Sequence, residues 1–576
     1  MADAVLGGTS SETNVGSDEL WWRRAVIYQV YVRSFADGNG DGIGDLAGVR
    51  SRLRYLADLG VDAIWFTPWY VSPLADGGYD VADYRAIDPA FGSLEEAERL
   101  IEEARQLGLR TIVDIVPNHV SDQHPWFKAA LAAGPGSPER ARFWFRPGKG
   151  PGGAEVPNNW TSNFWGVPWT RTTNADGTPG EWYLHLFTPE QPDLNWEHPD
   201  VRAEHEAVLR FWFDRGVAGV RIDSAALLVK DPDLSEVPAE PGPGKHPNTD
   251  RDEVHDIYRG WRAIADSYPD KRLLVGEIWL PDARFANHER FALYLRPDEL
   301  HTAFNFDFMI QRWDADSFRT SIDRTLAAHA PVNAPATWVL SNHDVTRPVT
   351  RYGQADSSFA FVNKRTGTPS DTDLGRRRAR AAALLAAALP GSLYIYQGDE
   401  LGLDEVTDLP VDRIQDPMYH RSGGTDPGRD GCRVPLPWAG ERPPFGFSHD
   451  GATTEPWLPQ PRRWADLTVE AESGDPSSML SLYRRMLAIR HELPELAGEF
   501  AWLSSEPDVL AFSRGGRFIC LSNLSQVAVR LPADCSLLLA SAPVIDGSLP
   551  ADATAWLLLA PAQIPGDADR RAYGGE

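Results

Sequence analysis

Eight short runs of β-branched and aromatic residues recur along this chain, and helical periods lie between them. The runs are AVIYQVYVRSF (25–35), AIWFTPWY (63–70), TIVDIVPNH (111–119), GVAGVRIDS (216–224), RLLVGEIW (272–279), TAFNFDF (302–308), ATWVLSNHD (336–344) and SLYIYQGDE (392–400). The clearest helical periods are VRSRLRYLADLG (49–60), which ends on Gly60, and SLEEAERLIEEARQLG (93–108), with a Ser cap and a Gly stop. VRAEHEAVLRFWFDRG (201–216) and SSMLSLYRRMLAIRHEL (477–493) are two more. Strand followed by helix, repeated, predicts a parallel sheet. Eight such units predict a closed (β/α)₈ barrel, with a doubly wound sheet as the alternative.

The rhythm breaks once. From 120 to 197 the chain is rich in Trp, Pro, Asn and Gly, with one short helical stretch at 126–134. So long an interruption reads as an inserted domain after the third strand. The expected organisation is a disordered segment over 1–20, barrel over 21–119, the insertion over 120–197 and barrel again over 198–496. The second barrel part includes a Gly- and Pro-rich excursion at 401–476. Short alternating runs after 497 predict a small antiparallel β domain to residue 576.

Composition narrows the function. The formal net charge is −26, from 82 acidic and 56 basic residues, which argues against nucleic acid or an anionic membrane as partner. No apolar run reaches membrane-spanning length, and the polar, acidic first twenty residues lack the features of a secretory signal. Three cysteines, Cys432, Cys520 and Cys535, favour a reducing, cytoplasmic setting over a disulfide framework. The 21 tryptophans suit a core, and also suit stacking against sugar rings.

Barrel enzymes carry their reacting groups at the C-terminal ends of the strands. Strand three ends in Asn118-His119, strand four in Arg221-x-Asp223, strand five in Glu277 and strand seven in Asn342-His343-Asp344. Each alone is compatible with a helix cap or a solvated turn; Asp114, inside strand three, is compatible with hydrogen bonding at the barrel rim. Together, three carboxylates, two histidines and an arginine on one face match what glycoside cleavage needs: one carboxylate to attack the anomeric carbon and another to protonate the leaving oxygen. Arg221 and Asp223 are two residues apart, so they share a strand face, and the guanidinium can hold the carboxylate ionised.

The segments DIVPNH (114–119), GVRID (219–223), VGEIW (275–279) and SNHD (341–344) resemble, in order and spacing, the four conserved regions of the α-amylase family, glycoside hydrolase family 13. The resemblance spans nearly the whole chain. QPDLNW (191–196) and QGDELG (397–402) resemble further segments of the oligo-1,6-glucosidase subgroup. The resemblance implies Asp223 as nucleophile, Glu277 as general acid and base, and Asp344 as a stabiliser of the distorted sugar. It implies that His119 and His343 donate to the same ring, with Tyr79 of DGGYD as stacking platform. Asp76 would pair with Arg429 of GRDGCR and close the pocket beyond a terminal glucose, the mark of exo action. Phe164, Phe187 and Gln191 match pocket-lining positions. Two positions depart from the pattern: Val220 stands where a bulky aromatic is usual, and Ser224 follows the nucleophile where Val is frequent. A small hydroxylated residue there implies preference for α-1,4 over α-1,6 bonds.

DGNGDGIGD (37–45) copies the first nine positions of a calcium loop: Asp37, Asn39, Asp41, the Ile43 carbonyl and Asp45, with Gly42 at the turn. The twelfth position is Gly48, so the bidentate Glu is missing. An Asp- and Gly-rich turn is the alternative. The family resemblance supports a structural Ca²⁺ or Mg²⁺ and no organic cofactor. The expected activity is a retaining α-glucosidase acting on short oligosaccharides or other α-glucosides, with transglucosylation. An α-1,6-preferring enzyme and a trehalose synthase or amylosucrase type of transferase or isomerase are the alternatives. A membrane-anchored, non-catalytic relative is disfavoured by the three retained carboxylates.

Overall fold

The computed structural model describes residues 20–280, 288–359, 368–449 and 451–560. The disorder expected over 1–20 therefore falls almost wholly outside the described residues, as does the end of the chain beyond 560.

Eight parallel strands form one sheet: β1 Val26–Val30, β2 Ala63–Phe66, β3 Arg110–Ile115, β4 Gly219–Ile222, β5 Leu273–Gly276, β6 Thr302–Ala303, β7 Thr337–Val339 and β8 Ser392–Tyr396. Neighbours follow chain order from β1 to β6, and β8 pairs with both β1 and β7. Between β6 and β7 the ring is joined by the Asn305 N–H to the Thr337 carbonyl, 3.3 Å, and by contact of the Thr302 and Thr337 hydroxyls. The sheet is thus a nearly closed (β/α)₈ barrel.

Strand periodicity sorts the core into two layers. Ile27, Ala63, Trp65, Ile112, Leu273, Val275, Val339 and Tyr394 cluster inside the barrel. Their neighbours Val26, Tyr28, Ile64, Val113, Val220 and Leu274 face outward, in the core shared with the surrounding helices. Helix 94–106 illustrates why those helices form. Ser93 and Glu96 make a reciprocal capping box, and Ala97, Leu100, Ile101 and Ala104 are buried on one face.

Several elements are shorter than the sequence suggests. The run 302–308 is a strand only at Thr302–Ala303; Asn305 then caps a short helix, Phe306–Met309, by accepting from the Phe308 N–H. The run 25–35 leaves the sheet after Val30 and enters a 3₁₀ turn. The helix expected over 49–60 is two helices, Leu46–Ser51 and Leu53–Leu59, broken at Arg52. In each case a local hydrogen bond or turn ends the element before its apolar pattern does.

Between β3 and β4 lies a three-stranded antiparallel sheet of Phe145–Arg146, Trp169–Thr173 and Pro179–Leu184. Segment 191–196 ties this part to the barrel: Trp196 Nε1 donates to the Pro117 carbonyl at 2.8 Å, and Lys230 Nζ, itself buried, meets Asp193 at 2.7 Å and Asn118 at 2.5 Å. After the barrel, five antiparallel strands between Phe500 and Leu559 form a separate sheet. Trp556 of that sheet donates to the Leu384 carbonyl of helix 372–388, anchoring it to the barrel.

Candidate active site

The inward faces of the strands turn from apolar to charged toward their C-terminal ends. Register fixes which charges meet. Asp114 of β3 stands opposite Arg221 of β4, and Ile222 stands opposite Gly276 of β5, so Asp223 and Glu277 each follow the last pair. Arg221 Nη1 donates to Asp223 Oδ1 at 2.7 Å and to Asp114 Oδ1 at 3.0 Å, while its Nη2 lies 2.8 Å from Glu277 Oε2. One buried guanidinium thus serves three buried carboxylates. Glu277 also accepts from the Ser224 backbone N–H at 2.9 Å and from Trp279 Nε1 at 3.1 Å.

The electrostatics separate Glu277, Asp223 and Asp344. Burial pushes Glu277 up to about 7, opposed by Arg221 and reinforced by Asp223 and Asp344. Burial likewise pushes Asp223 up to about 6; Arg221 opposes it, and Asp114 adds to it. The guanidinium alone therefore does not keep Asp223 in the ordinary carboxylate range, because its charge is shared. Asp344 differs. Burial acts against its ionisation, but the His343 ring, Arg429 and Arg433 outweigh it and hold the carboxyl well below the usual range. Arg429 Nη1 reaches Asp344 Oδ1 at 3.1 Å, and Arg433 Nη2 reaches the same oxygen at 2.9 Å. Near neutral pH this leaves Asp344 ionised, Asp223 mostly ionised and Glu277 partly protonated, a division suited to acid–base and nucleophilic work.

A cavity of about 330 Å³ opens over these groups. Asp76, Tyr79, His119, Phe164, Phe187, Asp223, Ser224, Glu277, His343, Asp344 and Arg429 all line it. Gln191 and Arg221 do not; they stand behind the wall. Gln191 Nε2 donates to Asp76 Oδ2 and lies 3.1 Å from His119 Nε2, so it braces two wall residues. Arg429 Nη2 meets Asp76 Oδ1 at 2.6 Å, and the guanidinium sits 4.6 Å over the Phe164 ring. Both residues of the pair line the cavity. The Tyr79 ring stacks on His343 at 5.2 Å and 6°.

Both histidines are neutral. Burial pushes His119 down to about 4 and carries His343 well below its ordinary value. Gln29 Nε2 lies 2.7 Å from His343 Nδ1. With Gln29 donating there, the ring proton sits on Nε2, 3.4 Å from Asp344 Oδ2.

Sequence reasoning missed several groups. Asp114 is not a rim residue: it is buried, pushed up to about 7 chiefly by burial, and accepts from Tyr79 Oη at 3.0 Å and Trp65 Nε1 at 3.3 Å as well as from Arg221. Its inward position was legible from the two-residue period. Asp416 holds Arg429 Nε at 2.7 Å, and Arg433 holds Asp344. Both lie in the excursion 401–476, where no periodicity marks them. Ser224 is partly buried with φ 48°, a left-handed backbone that few side chains adopt. Its hydroxyl favours ionisation of Asp223. Nothing in the sequence announces that conformation.

The loop 37–45 differs from the cation cage expected of it. Asp37 accepts from the Gly40 and Gly42 N–H groups, at 2.6 and 2.9 Å, and from the Ser448 hydroxyl at 2.6 Å. Asp45 caps helix 46–51 through the Gly48 N–H and holds the Gly38 and Asn39 amides. Asn39 and Asp41 accept from the Asp41 and Ile43 N–H groups. The carboxylates are thus engaged with backbone amides. Among the described residues, no group of three or more His, Cys, Asp or Glu side chains is disposed to hold a metal ion. The donor chemistry, oxygen only, still suits a hard divalent cation; such an ion would compete with those amides for Asp37 and Asp45.

A (β/α)₈ barrel with paired carboxylates around a cavity at its C-terminal face defines a glycoside-cleaving enzyme. Comparison with known proteins narrows the class. The alpha-amylase catalytic domain matches residues 29–498, and the chain belongs to that family. It is 36% identical over 531 residues to a probable alpha-glucosidase of Rhizobium meliloti (strain 1021), covering 89% of this chain and 90% of the relative. It is 32% identical to the oligo-1,6-glucosidase of Parageobacillus thermoglucosidasius, covering 88% and 91%. Among solved structures, the alpha-glucosyl transfer enzyme XgtA superposes with a TM-score of 0.80 at 34% identity, covering 94% of this chain and 99% of that one. The trehalulose synthase MutB of Pseudomonas mesoacidophila MX-45 gives 0.79 at 32%, with the same coverage. The chain is therefore an enzyme of α-glucoside hydrolysis or transfer; the retaining mechanism is characteristic of its family. Among the described residues, no helix is long and apolar enough to cross a membrane.

Proposed function

We propose that this enzyme is an exo-acting α-glucosidase that releases glucose from the non-reducing ends of short α-1,4-linked glucosides, and that it also transfers glucose to acceptors other than water. The observation that supports the exo reading is the Arg429–Asp76 contact at 2.6 Å in the cavity wall; in this reading the pair closes the pocket beyond the terminal glucose. Asp223 attacks the anomeric carbon as Glu277 gives its proton to the leaving oxygen; a carbon–oxygen ester bond forms and the glycosidic bond breaks. Water or an acceptor hydroxyl then attacks that carbon, Glu277 takes the proton, and Asp223 leaves as carboxylate. The elevated Glu277 and the neutral His343, its Nε2 set 3.4 Å from Asp344, support these roles. Asp344, His119 and His343 hold the hydroxyls of the terminal glucose.

Linkage choice rests on Ser224, which lines the cavity directly after the nucleophile. A small side chain leaves room for an α-1,4-linked leaving sugar, whereas a branched apolar one crowds it. One such contact shifts discrimination by about 10–200-fold. The test is kcat/KM on maltose and isomaltose for wild type, Ser224→Val and, to separate size from backbone strain, Ser224→Ala. Maltose should lead in wild type, and Val alone should move the ratio toward isomaltose. A wild type that prefers isomaltose sinks the reading. Neighbours named for glucosyl transfer and for trehalulose synthesis favour a second reading, transfer or isomerisation as the main reaction; product analysis on sucrose and maltose separates the two.

The same reading places a structural Ca²⁺ or Mg²⁺ in loop 37–45, remote from bond cleavage. Its support is the alternate spacing of oxygen donors. Metal analysis, with melting before and after chelator, tests it; an unchanged Tm and no bound metal end it. A cytoplasmic setting belongs to the reading too, supported by three cysteines that form no disulfide.

A further inference from the structure

The face of the barrel opposite the catalytic cavity carries a second large cavity, of about 800 Å³. Ala25, Arg110, Ala336 and Gly391, which precede or begin β1, β3, β7 and β8, line it, so it occupies the N-terminal mouth of the barrel. Its charge runs against that of the molecule. In a chain of net charge −26, five arginines line this cavity (Arg23, Arg24, Arg110, Arg490 and Arg514), and Asp62 is the one carboxylate lining it among the described residues.

For Arg23, Arg490 and Arg514, neutral acceptors take up much of the hydrogen bonding but none of the charge. Arg490 is buried and donates to the carbonyls of Ala387, of Gly391 at 2.6 Å and of Arg24 at 3.2 Å. Arg514 donates to the carbonyls of Ala388, Leu496 and Gly498, at 2.9, 2.6 and 3.2 Å. Arg23 bonds to the backbone and side-chain oxygens of Asn333. Capping the C-terminus of helix 372–388 accounts for the position of Arg490 and Arg514, since cations are favoured there. It does not account for the exposed Arg24 set beside them, nor for the buried Arg490 Nε, which has no hydrogen-bond partner among the described residues. Asp62 is itself held by the Val26 N–H at 2.7 Å. The crowding is unfavourable as it stands: burial and the neighbouring arginines push Arg490 down to about 9, and burial with Arg24 pushes Arg514 down to about 10.

We propose that this cavity binds a multivalent oxyanion of the phosphate or diphosphate class. Converging guanidiniums recognise such groups by paired, charge-assisted hydrogen bonds, which a lone lysine or a neutral cleft cannot supply. The occupant stabilises the fold from the face away from the chemistry and takes no part in bond cleavage.

The experiment is isothermal titration calorimetry of the full chain with inorganic pyrophosphate, inorganic phosphate and sulfate at constant ionic strength, paired with melting curves. One saturable site per chain is expected, tighter for pyrophosphate than for phosphate, with a saturating rise in Tm. Arg24→Glu, at an exposed position, should weaken pyrophosphate at least tenfold. It should leave kcat/KM on an α-glucoside unchanged and give an anion-free Tm equal to or above wild type. Absence of saturable heat, or equal binding by wild type and Arg24→Glu, overturns the proposal.

Discussion

Replacing Glu277 by Gln should make the enzyme more stable while disabling it, and the gain should depend on pH. Glu277 is buried, and its carboxyl is carried from the ordinary 4.5 to about 7. A folded-state pKa raised above the unfolded one means that the folded protein resists ionisation. The cost is absent below the unfolded value, grows as pH rises from about 4.5 to about 7, and is complete above that. At 1.36 kcal/mol per tenfold change, the full cost is about 3 kcal/mol, and at pH 5 it is still below about 1 kcal/mol. Gln keeps the shape without the charge and escapes it. An unfolding entropy of about 2 cal/mol/K per residue converts the gain to about 2–3 °C in Tm at pH 8. The assay is a pair of melting curves, wild type and variant, at pH 5 and pH 8. Equal shifts at both pH values, or a loss at pH 8, would refute the electrostatic argument. In the same variant, glucosylation from activated aryl glucosides should fall far less than from maltose, because a good leaving group needs no proton. Equal losses across leaving groups would remove the acid role.

Three further outcomes follow from the same geometry. The pH profile of kcat/KM should be a narrow bell, rising as Asp223 ionises near 6 and falling as Glu277 loses its proton near 7; a plateau reaching pH 9 contradicts the assignment. Asp114→Asn should lower kcat by up to about 100-fold through the loosened Arg221 and Tyr79, with the fold intact; an unchanged kcat shows Asp114 to be packing alone. Asp76→Ala and Arg429→Ala should each raise KM for maltose, and a double-mutant cycle should show coupling above about 1 kcal/mol; additivity dissolves the wall they form.

How much of this was legible beforehand depends on what kind of order carries each residue. Strand periodicity is local, so the sequence alone determined that Arg221 and Asp223 share a face, that Glu277 and Asp344 lie beyond the C-terminal ends of their strands, and that eight units build a barrel. The family resemblance, carried by four short motifs, singled out Asp76 and Arg429 although they are 353 positions apart. Sequence could not determine how one guanidinium divides its charge. That follows from the register that sets Asp114 against Arg221 and places Asp223 beside Glu277. Desolvation is likewise a property of the assembled barrel; it raises all three carboxyls, and His343, Arg429 and Arg433, gathered on Asp344 by the fold, set that one apart.

The remaining discrepancies have the same origin. Arg433 and Asp416 act from an aperiodic excursion, where only the closed fold shows which carboxylate or guanidinium each meets. Spacing in loop 37–45 set oxygen side chains at alternate positions, but the backbone amides that engage them depend on the turn conformation and on Ser448, far along the chain. The run 302–308 is apolar enough for a strand, yet Asn305 caps a helix there because its side chain reaches the Phe308 N–H. Sequence fixes which side chains recur on a face; the tertiary structure decides which of them are buried together, and burial sets their chemistry.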